Sequence, residues 1–184
     1  MNETTHTHFQ NIFSTDKEAQ NQAYYALIEA TDRPVDWAYE VWDKLVESLR
    51  HKDNHVRAIS AQVLCGLAKS DPEKRMLKDF EALLAVTKDE RFVTARHSLQ
   101  ALWKVGVVGA EQRARYVNGL EARFRECIHE RNGTLIRYDI LQSLRNVYDQ
   151  VKDENIREKA VALIEMEEDT KYRKKYNALW KPSK

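Results

Sequence analysis

The sequence predicts an all-α fold, a helical solenoid of about four helix pairs, and three observations carry that prediction. An Arg preceded by Ala or an aliphatic residue recurs at near-constant spacing: Val56-Arg57, Ala95-Arg96 and Ile136-Arg137, 39 and 41 residues apart. Each sits near the start of the second helix of a predicted pair, and a helix–turn–helix at this period is how stacked helical repeats read in sequence. Helix formers dominate the middle of the chain, 32% of residues are charged, and there are only five Gly and three Pro. That composition favours long helices joined by short connections.

Residues 1–15 read as a flexible N-terminal arm, with Phe9, Ile12 and Phe13 as the side chains able to pin it to the body. Residues 16–184 read as a single helical-repeat domain, long enough to bury a sizeable core. Asp16 is the expected N-cap of a helix running to about Thr31, with Ala23, Leu27 and Ala30 inward. Asp32-Arg33-Pro34 ends it, because proline disfavours helix in the residue before it.

The first clear pair follows. Trp37, Val41, Leu45 and Leu49 recur every four residues between Val35 and Arg50. Asp53 then caps a helix to Lys69 with Val56, Ser60, Val63, Leu64 and Leu67 inward, Ser60 being small enough to let two helices approach closely. Asp71-Pro72 reads as the cap and first position of the next helix, which carries Met76, Phe80, Leu83 and Leu84. Its mate runs from about Asp89 to Val105, and Gly106 and Gly109 bracket a turn.

The third pair places Tyr116, Leu120, Phe124 and Cys127 on one face of residues 110–130. After the breaker Asn132-Gly133, a helix to about Val151 presents Ile136, Ile140, Leu144 and Val147. A helix from Asp153 to Glu168 and a short aromatic-rich helix with Tyr172, Tyr176, Leu179 and Trp180 finish the chain. Terminal repeats are atypical because a cap must cover the open end of the stack, and this last helix suits that role.

The run Asp53-x-x-Val56-Arg57-x-x-Ser60-Ala61-x-x-Leu64-x-x-Leu67 resembles the HEAT-repeat consensus, an armadillo-like family of helical pairs. The match is looser later, where Phe92 and Asn132 stand at the acid position. The resemblance implies a right-handed α-α superhelix whose second helices line a concave surface. It also implies that each recurring Arg pairs with an acid of its own or an adjacent repeat. Asp53 and Arg57, four residues apart, are the expected pair, whereas Arg96 and Arg137 lack an acid at that spacing and are freer to face a ligand.

A second ladder of Gln62, Gln100 and Gln142 runs beside the Arg residues. With Lys104 and Arg145 it makes a polar, basic strip suited to an acidic peptide or a phosphate backbone. Arg113, Arg115, Arg123, Arg125 and Arg131 crowd the third pair, but interleaved acids such as Glu121 favour surface pairs there. Lys171, Arg173, Lys174 and Lys175 flank Tyr172 and Tyr176, a mixture that can hold single-stranded nucleic acid, although these tyrosines read better as cap residues.

Catalytic and metal chemistry find little support. His129-Glu130, His51 with His55, and His6 with His8 do not supply the three or four convergent ligands a metal needs. Trp37, Trp42 and Trp103 with Asp139 could form the aromatic walls and acid of a HEAT-like alkylpurine DNA glycosylase. However, Trp37 and Trp103 read as core, and a net charge of +1 lacks the field that duplex binding requires. Cys65 and Cys127 fall on apolar stripes and read as small buried hydrophobes.

No secretory signal and no apolar run of membrane-spanning length appear, which points to the cytoplasm and to no membrane partner. The sequence thus points to a non-catalytic protein-binding scaffold or adaptor without cofactor. Its partner, a protein or peptide, would meet the second-helix face at Gln62, Arg96, Gln100, Lys104, Arg137 and Arg145. The alternative is a nucleic-acid binder, in its most specific form a DNA-damage recognition enzyme.

Overall fold

The computed structural model describes residues 1–181, and every regular element among them is helical. In chain order the helices are α1 (Glu3–Asn11), α2 (Lys17–Ala30), α3 (Ala38–Ser48), α4 (Asn54–Leu67), α5 (Arg75–Ala85), α6 (Phe92–Ala101), α7 (Trp103–Gly106), α8 (Ala110–Glu126), α9 (Gly133–Val151), α10 (Glu154–Glu165) and α11 (Thr170–Leu179). Residues 182–184, placed by sequence at the end of the capped domain, lie outside the described residues. None of these helices is long and apolar enough to cross a membrane.

Within the N-terminal arm, Glu3–Asn11 form α1, capped by the Asn2 side chain. Ile12 at its end is fully buried, and its carbonyl accepts a hydrogen bond from Gln20 Nε2 at 2.8 Å. This gives α2 a mate. Apart from the short α7, the helices fall into five sequential pairs rather than about four. Two rows result: α2, α4, α6, α9 and α11 pack consecutively, while α3, α5, α8 and α10 do the same.

Side-chain caps explain several helix starts. Asp16, Asp53, Asp153 and Asp169 each accept from amides of the following first turn, satisfying donors that a helix leaves unpaired. Asp71 behaves differently. The helix it was expected to open begins only at Arg75, after Lys74 in the left-handed region (φ 57°). Asp71 still caps it at a distance, accepting from the amides of Arg75 and Met76 at 2.8 Å and from Tyr39 Oη at 2.6 Å. A buried carboxylate with three donors holds the loop in place of a first helical turn.

The predicted inward residues form the core: Val41, Leu45, Val63, Leu64, Leu99, Leu120, Phe124, Ile140 and Leu144 are all essentially inaccessible. Where the end of α2 meets α4 the approach is close, because a Cβ on Gly66 would collide with the Thr31 side chain. Ser60, on the same helix, is fully buried.

Candidate functional site

The recurring arginines lie on α4, α6 and α9, and each reaches a carboxylate contributed by a later part of the chain. Arg57 does not pair with Asp53. Its Nε and Nη2 donate to the two oxygens of Asp89 at 2.6 and 2.9 Å, and Nη1 reaches the His51 carbonyl at 2.8 Å. Asp53 is occupied as the α4 cap and lies beside His55 and Lys17. Arg96 makes the same fork to Asp139 at 2.6 and 2.9 Å. Arg137 donates to Glu167 at 3.0 Å and to the Phe124 carbonyl, and its guanidinium lies 4.7 Å from the Phe124 ring centre.

These forks set the local electrostatics. Hydrogen bonds donated to Asp89 and Asp139 push the Arg57 and Arg96 guanidinium pKa values further up. Burial pushes the Asp89 carboxyl up, but the Arg57 side chain and the Arg91 amide outweigh it and hold it below the usual carboxylate range. Only Arg57 has an acid four residues before it, and none of the three partners lies at that spacing. The partners sit instead 32, 43 and 30 residues after their Arg. The ladder therefore joins neighbouring pairs, which local spacing could not show.

The remaining residues of the strip are largely tied up as well. Arg145 grips Asp149 at 2.8 Å and donates to the Leu179 and Lys181 carbonyls, fastening α11 to α9. Lys104 lies 3.4 Å from Asp32, and Gln142 donates to Asn146. Gln62 accepts from Tyr24 Oη at 2.9 Å and donates to the Ala58 carbonyl. Gln100 is exposed to solvent. The structure does not gather these six residues into one free cationic surface.

A different feature occupies part of the same face. A groove of about 430 Å³ runs between α2, α4 and α6. Its walls are Tyr24 of α2, Ala58, Ile59 and Gln62 of α4, and Phe92, Val93 and His97 of α6. Arg91, Asn54 and His55 stand at one end. Val93 is 62% exposed, unusual for an aliphatic side chain in a concavity, and no Asp or Glu lines the groove. Desolvation first, and then the neighbouring Tyr25, raises the Tyr24 hydroxyl pKa, so that group stays a neutral donor. Of the predicted residues only Gln62 belongs to this groove. Val93 carried no signal because it lies off the apolar stripe that defines the core.

Other candidate constellations disperse. Asp139 is held by Arg96, while Trp42 is fully buried with its Nε1 on Asp79 at 2.9 Å. Trp37 is buried too and Trp103 packs half-buried against the core, so Trp37 and Trp42 are not available as the walls of a cleft. Among the described residues, no three His, Cys, Asp or Glu side chains converge on one point. Cys65 is buried, and desolvation pushes its thiol up to about 12, which keeps it protonated and unreactive. Arg123, counted with the surface arginines by sequence, is buried and bonded to Glu130 and the Thr87 carbonyl. The Arg125–Glu121 pair does form, at 2.9 Å. In the basic C-terminal cluster Tyr176 is fully buried, donating to the Thr134 carbonyl, and Arg173 donates to the Glu167 carbonyl.

No family model matches this chain, and no curated protein does. Among solved structures, the crystal structure of an engineered protein, a structural-genomics target, superposes with a TM-score of 0.57 at 20% identity. The match covers 98% of this chain and 80% of that one. At that identity the likeness concerns the fold alone.

Proposed function

We propose that this protein is a non-catalytic protein-binding scaffold or adaptor of the cytoplasm, built as a right-handed HEAT-like solenoid that uses its second-helix face. Support for the architecture comes from the two rows of consecutively packed helices and from the Arg–carboxylate forks that join neighbouring pairs. The observation that carries the function is the groove between α2, α4 and α6, with apolar walls, polar ends and an exposed Val93. An open apolar concavity rimmed by hydrogen-bonding side chains is how a peptide-recognising surface is built. The same face is poorly suited to a phosphate backbone, since Arg57, Arg96, Arg137 and Arg145 are each engaged by a carboxylate.

Affinity capture from the native cell lysate, with and without nuclease, tests the reading. Wild type and Val93→Glu serve as paired baits. A defined protein recovered in both nuclease arms and lost from the Val93→Glu bait is the expected result. Recovery that disappears with nuclease, or oligonucleotide binding that falls steeply with salt, would put a nucleic-acid binder in its place.

A further inference from the structure

We propose that the groove between α2, α4 and α6 docks an acidic amphipathic helix of a partner protein. Its apolar side chains lie on Ala58, Ile59 and Val93, and its carboxylates face Arg91. The proposal rests on the protein-binding reading above and adds the chemistry of the partner.

The charge distribution selects the sign. Arg91 is the one permanent charge among the residues lining the groove, and no carboxylate lies among them. The arginines elsewhere on this face are quenched: Arg57, Arg96, Arg137 and Arg145 each hold a carboxylate within 3.0 Å. Arg91 is exposed and forms no ion pair among the described residues. Its neighbour Asp89 is committed to the Arg57 fork and bonds only the Arg91 backbone amide, although the Arg91 charge also reaches it through space. The adjacent Glu90 is exposed and lies outside the groove lining. No side chain caps α6, so the positive end of that helix adds to the field at the same end of the groove. A single guanidinium beside apolar walls suits one or two carboxylates on an apolar segment, whereas a phosphate backbone needs a row of cations.

The dimensions accommodate that form. The groove follows α4 from Asn54 to Gln62, about 12 Å at 1.5 Å per residue. That length accepts about two turns of an incoming helix, whose anchors recur every three or four residues. Asn54 and His97 can hydrogen-bond its flanking polar groups.

The test is a displayed library of short helical peptides, randomised at both apolar and polar positions, panned in parallel on three folded full-length baits. These are wild type, Val93→Glu and Arg91→Glu. The two altered side chains are exposed, and matching melting temperatures verify that each bait is folded. The expected result is enrichment of apolar peptides carrying Glu or Asp on wild type. Individual peptides should bind about tenfold more weakly to Arg91→Glu, and panning on that bait should enrich Lys or Arg instead. Peptides that are lost on Val93→Glu but show no acidic bias, or ignore Arg91→Glu, would overturn the acidic partner while leaving the groove in use. Peptides indifferent to Val93→Glu, or no enrichment at all, would overturn both. A single-stranded oligonucleotide that displaces the selected peptides in an Arg91-dependent way would also overturn the proposal.

Discussion

The second-helix face is open at one end and closed at the other. Around α2, α4 and α6 it keeps a groove with Val93 in solvent. Around α9 the equivalent surface is covered by α11, where Tyr176 packs on Phe124 and Tyr138 and Arg145 holds the carbonyls of Leu179 and Lys181. The recurring arginine registers the difference. Arg57 keeps 14% of its side chain exposed, while Arg137 keeps 4% and faces a Glu167 that is equally buried. One sequence element thus works as a staple whose guanidinium solvent still reaches in one repeat and as a fully enclosed ion pair in another, and its cost of removal should differ accordingly.

The largest effect should come from the closed end. Arg137→Ala removes the cation facing the buried Glu167 carboxylate, which keeps only the Asp169 amide, and leaves the Phe124 carbonyl with the weak Cys127 thiol as its one side-chain donor. A loss of about 3–5 kcal/mol is expected, because breaking a buried pair leaves an uncompensated charge. Urea unfolding at pH 7 measures it. A loss below about 1 kcal/mol, the size of a surface pair, would erase the contrast between the two ends.

Arg57→Ala should cost less at neutral pH, about 1–3 kcal/mol, since solvent can reach part of the fork. Its signature is the pH dependence. Asp89 has a folded pKa below the usual carboxylate range, so its contribution is complete above the unfolded value of about 3.9. It is lost as pH falls through the lower, folded value. Stability measured from pH 7 to pH 3 should show the gap between wild type and Arg57→Ala narrowing only below about pH 4. A gap that stays constant across the acid limb would mean that the fork does not set the Asp89 titration.

Tyr176→Phe sharpens the account of the closing helix. It removes the hydroxyl that donates to the Thr134 carbonyl at 2.6 Å and leaves the ring in place. About 0.5–1.5 kcal/mol is expected, a single hydrogen bond with the packing preserved. Melting of the variant beside Arg145→Gln would separate the hydroxyl's share of docking α11 from that of the guanidinium.

How much of this was legible in sequence follows from what each signal reports. Helical period and caps are local, so the helices, their starts at Asp16, Asp53 and Asp153, and the apolar stripes could be read directly. Asp71 misled because a cap is ordinarily adjacent to its helix, and here an αL residue at Lys74 intervenes. The polar run before Phe9 hid α1, whose only deep anchor is Ile12. Partner choice is not local. Arg57 had an acid at the ideal helical spacing and ignored it, because Asp53 was spent on capping and Asp89 offered two oxygens across the helix pair. The groove was invisible for a related reason: it is made where stripes from three helices fail to meet.

The smallest effect belongs to that groove, and its smallness is the point. Val93 lies in the first turn of α6 and is 62% exposed, so replacing it uncovers no core. A carboxylate near a helix N-terminus is, if anything, favourable. Val93→Glu should therefore change stability by no more than about 0.5 kcal/mol, within the range of ordinary surface substitutions. Paired with Arg137→Ala, it separates a surface left open from one consumed by the fold. A destabilisation of about 2 kcal/mol or more, the scale of a core truncation, would show that Val93 packs into the molecule. The open end would then be a second closed one.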